Sequence, residues 1–246
     1  MYFRKMKEIL RTLILLLGRL LYSSHKSKIV YYHDVNPPSG KAWTDMSTPL
    51  QLFKQHIDII RQEKYEIVRD IICEDDQVQV AFDDGFHGIY DNKDYFFSED
   101  IKPTVFLATS LIGQPGYLNL KEILELQEHG FNFQCHTNSH ANLTKLTHEE
   151  LYSEVVESRS RLEKMLGKKI DSICFPQGYF SDAVLKVCRE AGYNWIYSSI
   201  PGMINLSKDI LPRNFCQTMS PFQFRLIING GMKILKKHYT KLHYTH

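Results

Sequence analysis

Six short apolar, β-rich runs separated by helical patterns constrain this 246-residue chain more than any other feature. The runs are Lys28 to Tyr32, Gln77 to Phe82, Thr104 to Ala108, Phe131 to Cys135, Ile170 to Phe175 and Trp195 to Ser198. Between them, Pro49 to Glu63 sets Leu50, Phe53, Ile57 and Ile60 on one helical face after a Ser47-Thr48 start. Leu146 to Leu166 opens on Thr147 ahead of Glu149 and Glu150, and Asp182 to Ala191 follows a Ser181 cap. Strands alternating with helices predict an α/β fold of repeated β-α units around a parallel sheet or barrel. The densest Pro/Gly cluster, Asn36 to Gly40, follows the first strand, where a strand-to-helix loop belongs. No linker divides the chain, so one domain is expected.

The polar residues fall where the strands end. Asp83 and Asp84 close Val80-Ala81-Phe82, His136 closes Phe131 to Cys135, Pro176 closes Ile170 to Phe175, and His33 closes Ile29 to Tyr32. In a β/α barrel the carboxyl ends of the strands share one face, so residues far apart in sequence meet there. Two adjacent carboxylates call for a cation, and Gly85 lets the backbone turn tightly behind them. A lone Asp-Asp-Gly is more often a solvated turn, and a lone His-x-x-x-His pair is weak. His136 and His140, four residues apart, can reach one ion with a carboxylate as third ligand, which leaves a coordination position open. The combination on one predicted face is what makes either signal informative.

These residues resemble the polysaccharide deacetylase family, the NodB-like carbohydrate esterases, over roughly residues 28 to 216. Ala81-Phe82-Asp83-Asp84-Gly85 is similar to its first motif, and His136-Thr137-Asn138-Ser139-His140 to its second. The resemblance implies a distorted β/α barrel in which Asp83 is the catalytic base and Asp84, His136 and His140 hold a divalent metal. Phe175-Pro176-Gln177-Gly178 resembles the third motif, which shapes the groove and supplies a backbone N–H to the developing oxyanion. Gln177 stands where the family usually has tyrosine and Cys174 where many members have arginine. Any non-proline residue still supplies the backbone donor. Arg213, in Leu211-Pro212-Arg213, is a candidate for the missing cation beside Asp83, with a surface ion pair as the equal alternative.

The family's late leucine-x-histidine motif has no convincing copy downstream of Arg213. Tyr31-Tyr32-His33 resembles instead the early tyrosine-histidine segment of the circularly permuted branch acting on poly-N-acetylglucosamine, which makes His33 the expected general acid. A packed histidine held by a backbone carbonyl is the alternative. The expected activity is hydrolysis of a linear amide C–N bond, releasing acetate from an N-acetylated sugar. Other readings are a deformylase or other amidohydrolase on the same scaffold, and a non-catalytic carbohydrate-binding relative. Zinc is the first choice of metal, with cobalt, nickel, manganese or iron able to use the same ligands. Tyr31, Tyr32, Tyr179 and Phe180 lie near motif ends and are candidates for stacking on sugar rings, although such residues more often serve the core.

The termini divide from this body. Residues 1–27 are expected to form a basic, hydrophobic helix, 28–216 the barrel, and 217–246 a basic amphipathic helix. Leucines follow Arg4, Lys5 and Lys7, but Arg11 and Arg19 interrupt the run and no small-x-small cleavage site follows clearly, so a secretory signal is not expected. A cytoplasmic protein, associated with a membrane through its ends or packing those ends on the barrel, is the expectation. Five cysteines without a C-x-x-C pair read as thiols in a reducing compartment. Hydrophobic residues at 43% and charged ones at 24% suffice for a sizeable core, and a net charge of +2 gives no reason to expect nucleic acid. Oligomeric state is not readable.

Overall fold

Each predicted apolar run becomes a strand: Lys28–Tyr32 and Gln77–Phe82 match their patterns, three others are one residue shorter, and Ser172–Cys174 keeps the middle of Ile170 to Phe175. The structure, a computed structural model, describes residues 2–40 and 42–245, and the side chains of 2–4, including Arg4, lie outside the described set. After helix α1 (Tyr2–Tyr22) come β1 (Lys28–Tyr32), α2 (Leu50–Gln62), β2 (Glu66–Val68), β3 (Gln77–Phe82) and β4 (Thr104–Leu107). Helix α3 (Leu120–Glu128) leads to β5 (Asn132–Cys135), and α4 (His148–Tyr152) joins α5 (Ser158–Leu166) through a π-helical turn, Ser153–Glu157. Then follow β6 (Ser172–Cys174), α6 (Asp182–Glu190), β7 (Trp195–Tyr197), β8 (Ile210–Leu211) and β9 (Arg213–Phe215). The sequence pattern did not reveal β2, α3, β8 or β9.

The main sheet runs β8-β7-β6-β5-β4-β3-β1-β9, with β2 on the lower half of β3, and every pair is parallel. Its two edge strands are consecutive in sequence, divided only by Pro212, which has no N–H to donate to a ladder. One stretch of chain therefore pairs with β7 through Ile210 and Leu211 and with β1 through Arg213 to Phe215, bringing the sheet back on itself. Side chains alternate along each strand. Val30, Tyr32, Val80 and Phe82 pack outward under the helices, while Ile29, Tyr31, Ala81, Phe106, Cys174 and Tyr197 fill the interior. Tyr32 and Phe180 are thus core residues and not sugar-stacking platforms. Four cysteines are buried and Cys73 is exposed, all as free thiols.

Two expected starts and ends differ. Helix α2 begins at Leu50 with Pro49 at its N-cap and no side-chain cap, because the Ser47 hydroxyl donates to Asp34 and that of Thr48 to the Gln217 carbonyl. The segment from 217 is not one helix. It forms α7 (Pro221–Ile228), breaks at Gly230, continues as a 3-10 turn Gly231–Leu235 and α8 (Lys236–His243), and ends with Tyr244–Thr245 paired to Phe180–Ser181. Gly230 takes φ 90°, and a β-carbon there would sit 2.4 Å from the Tyr22 carbonyl oxygen, so the reversal needs glycine.

His56 ties α2 to β1 and to the chain before α7. Its Nδ1 accepts from the Tyr32 hydroxyl, its Nε2 donates to the Met219 carbonyl, and its ring stacks on Phe224 at 4.0 Å. With both nitrogens committed, the neutral ring is the satisfied form, and burial pushes its pKa down to about 4. The unfolded chain binds a proton near pH 6.5 while the folded ring does not, so this group's contribution is intact above pH 6.5 and is lost on acidification toward pH 4. The loss is on the order of 3 kcal/mol. The His56 ring should remain neutral to about pH 4 in an NMR titration; titration near 6.5 would contradict the packing described.

Candidate active site

Strand β3 delivers Asp83 and Asp84 to the C-terminal mouth of the barrel, both nearly fully buried. Gly85 completes the turn at φ 78°, and its N–H donates back to the Asp83 carbonyl at 2.9 Å. The two neighbouring carboxylates face different partners. Asp83 takes a bidentate pair from Arg213, with Nη1 to Oδ1 at 2.6 Å and Nη2 to Oδ2 at 2.9 Å. Arg213 is fully buried, donates its Nε to the Ser198 carbonyl, and stacks 4.1 Å over the Tyr31 ring. A surface ion pair is excluded, and so is a place for Arg213 on the groove wall. Burial raises the Asp83 pKa, but the charge and hydrogen bonds of Arg213, together with the nearby His136 and His33, more than reverse this and hold the carboxyl below its ordinary range.

Asp84 points the other way. Its Oδ1 is buried and hydrogen-bonded to nothing, although His140 Nε2 lies 3.2 Å away and His136 Nε2 3.4 Å away. Burial raises the Asp84 pKa, and the two imidazoles more than reverse this, leaving the carboxyl well below normal. His136 Nδ1 lies 2.9 Å from the Cys174 carbonyl, so its N–H belongs there and Nε2 is free as a ligand atom. One carboxylate oxygen and two imidazole nitrogens thus converge within 4.8 Å of one another. That donor set fits a divalent transition metal. Asp83, His136 and Cys174 form a second convergent trio, but both Asp83 oxygens are engaged by Arg213.

The loop carrying the histidines is fixed from behind. Buried Glu154, in the π-helical turn, accepts from the N–H groups of Asn138 and Ser139 and from the Ser139 hydroxyl. A π turn shifts the helix register locally and so aims this carboxylate at the loop. Of the seven non-glycine residues at positive φ among the described residues, four are here: Asp84, Thr137, His140 and Gln177. Such conformations cost about 1–3 kcal/mol each and persist where the surroundings over-determine them.

A cleft of about 280 Å³ opens over this cluster, lined by Tyr31, His33, Asp83, Asp84, His136, His140, Gln177 and Ser199 among others. His33 lies on that wall, with Nδ1 2.8 Å from the Gln217 side-chain oxygen. Gln177 lines the cleft, Pro176 is buried beneath it, and the Tyr179 ring lies tilted, 5.3 Å between centroids, against a residue that sequence reasoning missed, His243. His243 enters from the end of α8, its Nδ1 without a hydrogen-bond partner. Gly178 makes room for it, since a β-carbon there would lie 2.9 Å from that nitrogen. Lys241-Leu242-His243 puts leucine one position too close for a leucine-x-histidine pattern, so the motif gave no signal. A larger cavity, about 430 Å³ and lined by Trp195 and Tyr197, opens elsewhere and includes none of this titratable cluster.

Fold and site together define a β/α-barrel protein with paired carboxylates and histidines at the C-terminal mouth. The profile of the polysaccharide deacetylase family matches residues 73–196, half of the chain. This chain belongs to the polysaccharide deacetylase family. Bacillus subtilis YxkH, assigned by name to the polysaccharide deacetylases, is 24% identical over 188 residues, covering 72% of this chain and 66% of YxkH. The match therefore spans slightly less than two thirds of that protein. The deacetylase PplD of Streptococcus pyogenes, solved with acetate, superposes with a TM-score of 0.72 at 22% identity, covering 82% of this chain and 98% of PplD. IcaB from Ammonifex degensii superposes at 0.73 with 16% identity, covering 85% and 98%. The fold is that of the NodB-like deacetylases.

If Asp84, His136 and His140 are metal ligands, His136→Ala should abolish stoichiometric binding of zinc added to apoprotein, read by equilibrium dialysis. Undiminished binding by that variant would remove the assignment.

Proposed function

We propose that this protein is a metal-dependent hydrolase that removes N-acetyl groups from an amino-sugar-containing glycan or glycan precursor. The observation that carries the reading is the orphaned Asp84 oxygen facing two imidazole nitrogens beside a second carboxylate that Arg213 keeps charged. Asp84, His136 and His140 would hold the ion, zinc first by ligand type, with cobalt, nickel, manganese or iron as alternatives. A divalent ion there would polarise an amide carbonyl and acidify water.

The remaining work falls to the chain's own groups. Asp83, held as a carboxylate, has lone pairs beyond those used by Arg213 and takes the proton of the attacking water. The backbone N–H of Gln177 serves the developing oxyanion, with Pro176 and Tyr179 shaping the groove. Two histidines compete to protonate the leaving amine. His33 is favoured because Gln217 accepts from its Nδ1–H, which leaves Nε2 to carry a proton toward the cleft. His243 is disfavoured because burial first, and the charge of His238 second, lower its pKa and disfavour its protonated form. Acetate and a free amine leave the site. We place the enzyme on the cytoplasmic side of a membrane; no helix among the described residues is long and apolar enough to cross one.

Asp83→Asn should retain the metal and lose roughly 10²–10⁴-fold in acetate release from N-acetylglucosamine oligomers, because an amide cannot take the proton. Near-normal turnover would refute the base assignment. Formate release from N-formyl sugars in preference to acetate would favour a deformylase, and sugar binding without turnover a non-catalytic relative. His33→Ala should cost more turnover than His243→Ala; the reverse order would transfer the acid role to the C-terminal histidine.

A further inference from the structure

Helix α1 is docked by its polar side. Gln223 of α7 donates to the Thr12 hydroxyl and to Glu8, Leu15 is buried, and Gly18 lies so close to Gly231 that no β-carbon fits between them. The apolar residues face outward instead. Met6, Ile9, Leu10, Leu13, Leu16, Leu17, Leu20 and Leu21 are each 40–80% exposed. Their spacing follows one face over a helix about 30 Å long. A surface helix ordinarily buries such a face, and this one turns it away from the protein.

Charge is segregated with it. Residues 1–27 and 217–246 hold eleven lysines and arginines against a single acidic residue, Glu8. Since the whole chain carries +2, these two segments contribute +10 and residues 28–216 contribute −8. The two basic segments are also neighbours, with Lys233 lying 5.2 Å over the Tyr22 ring and Lys236 and Lys237 exposed just beyond. An outward apolar stripe beside clustered lysines matches an anionic interface on both counts.

We propose that α1, lying flat with its outer face in the interface and flanked by the lysines of the 3-10 turn and α8, docks this protein on an anionic lipid surface. The helix does not span the bilayer, because its opposite face is held by α7 and the Gly231 turn. The docking surface gives the membrane proximity of the proposed function a structural basis, yet it rests on the terminal segments alone and stands or falls independently of the chemistry at Asp83.

The test is flotation of the full chain with vesicles of phosphatidylcholine alone and of phosphatidylcholine mixed with phosphatidylglycerol. The protein should float with the mixed vesicles, and binding should weaken with added salt and with phosphatidylglycerol removed. Lys236→Glu/Lys237→Glu should weaken binding by more than about fivefold per lysine, since neutralisation alone costs about that much. Leu13→Glu/Leu17→Glu/Leu20→Glu should abolish binding at an unchanged thermal midpoint, because those side chains touch solvent in the free protein. Equal binding to neutral vesicles, or undiminished binding by the leucine variant, would overturn the proposal. So would light scattering that shows a dimer which the leucine variant converts to monomer, since a second copy would then cover the stripe.

Discussion

The buried pair between Asp83 and Arg213 is the interaction on which the rest of the structure depends. It joins the end of β3 to β9, the half-strand that returns the sheet to β1, so the same contact fixes the site and the return of the sheet. Burying both charges is expensive, and only bidentate geometry with every remaining donor engaged makes it tolerable. Here the Nε donates to the Ser198 carbonyl and the guanidinium lies over Tyr31. Removing one partner leaves an uncompensated charge in the barrel, which typically costs about 3–5 kcal/mol. The pair also settles the division of labour between adjacent carboxylates. Asp83 is engaged by Arg213, which leaves Asp84 and its unbonded oxygen as the carboxylate facing His136 and His140.

Much of the fold was legible because parallel strands buried on both faces read as continuous apolar runs. All six predicted runs contain strands, and His33, Asp83 and His136, which follow three of them, mark the mouth of the barrel. The short β2, β8 and β9 were not legible, since Glu66–Val68, Ile210–Leu211 and Arg213–Phe215 are too brief to stand out as apolar runs. Helix α3 does carry a local signal, since Asn119 and Glu122 form a reciprocal capping box. Arg213 was legible only as a candidate, since its partner lies 130 residues away.

The C-terminal segment shows where pattern reading stops. Its composition suggested one amphipathic helix, but Gly230 reverses the chain and α8 carries His243 back into the cleft. Nothing local in Lys241-Leu242-His243 announces that destination. Helix α1 shows the same limit from the other side. Its periodicity identifies an amphipathic helix without telling which face is docked, and the answer depends on Gly18 meeting Gly231 across more than two hundred residues. A sequence reports the stripe, and only the packing reports its direction.

Arg213 supplies, from the returning strand, the cation beside Asp83. The most direct measurement is acetate release and thermal midpoint for Arg213→Met beside the double variant Arg213→Met/Cys174→Arg, with zinc binding followed in both. Cys174 Sγ lies 3.9 Å from Asp83 Oδ2, so an arginine at that position starts within reach of the same carboxylate. The single variant should lose turnover and several degrees of stability, and the double variant should regain part of both. Wild-type turnover and an unshifted midpoint in Arg213→Met would contradict that role.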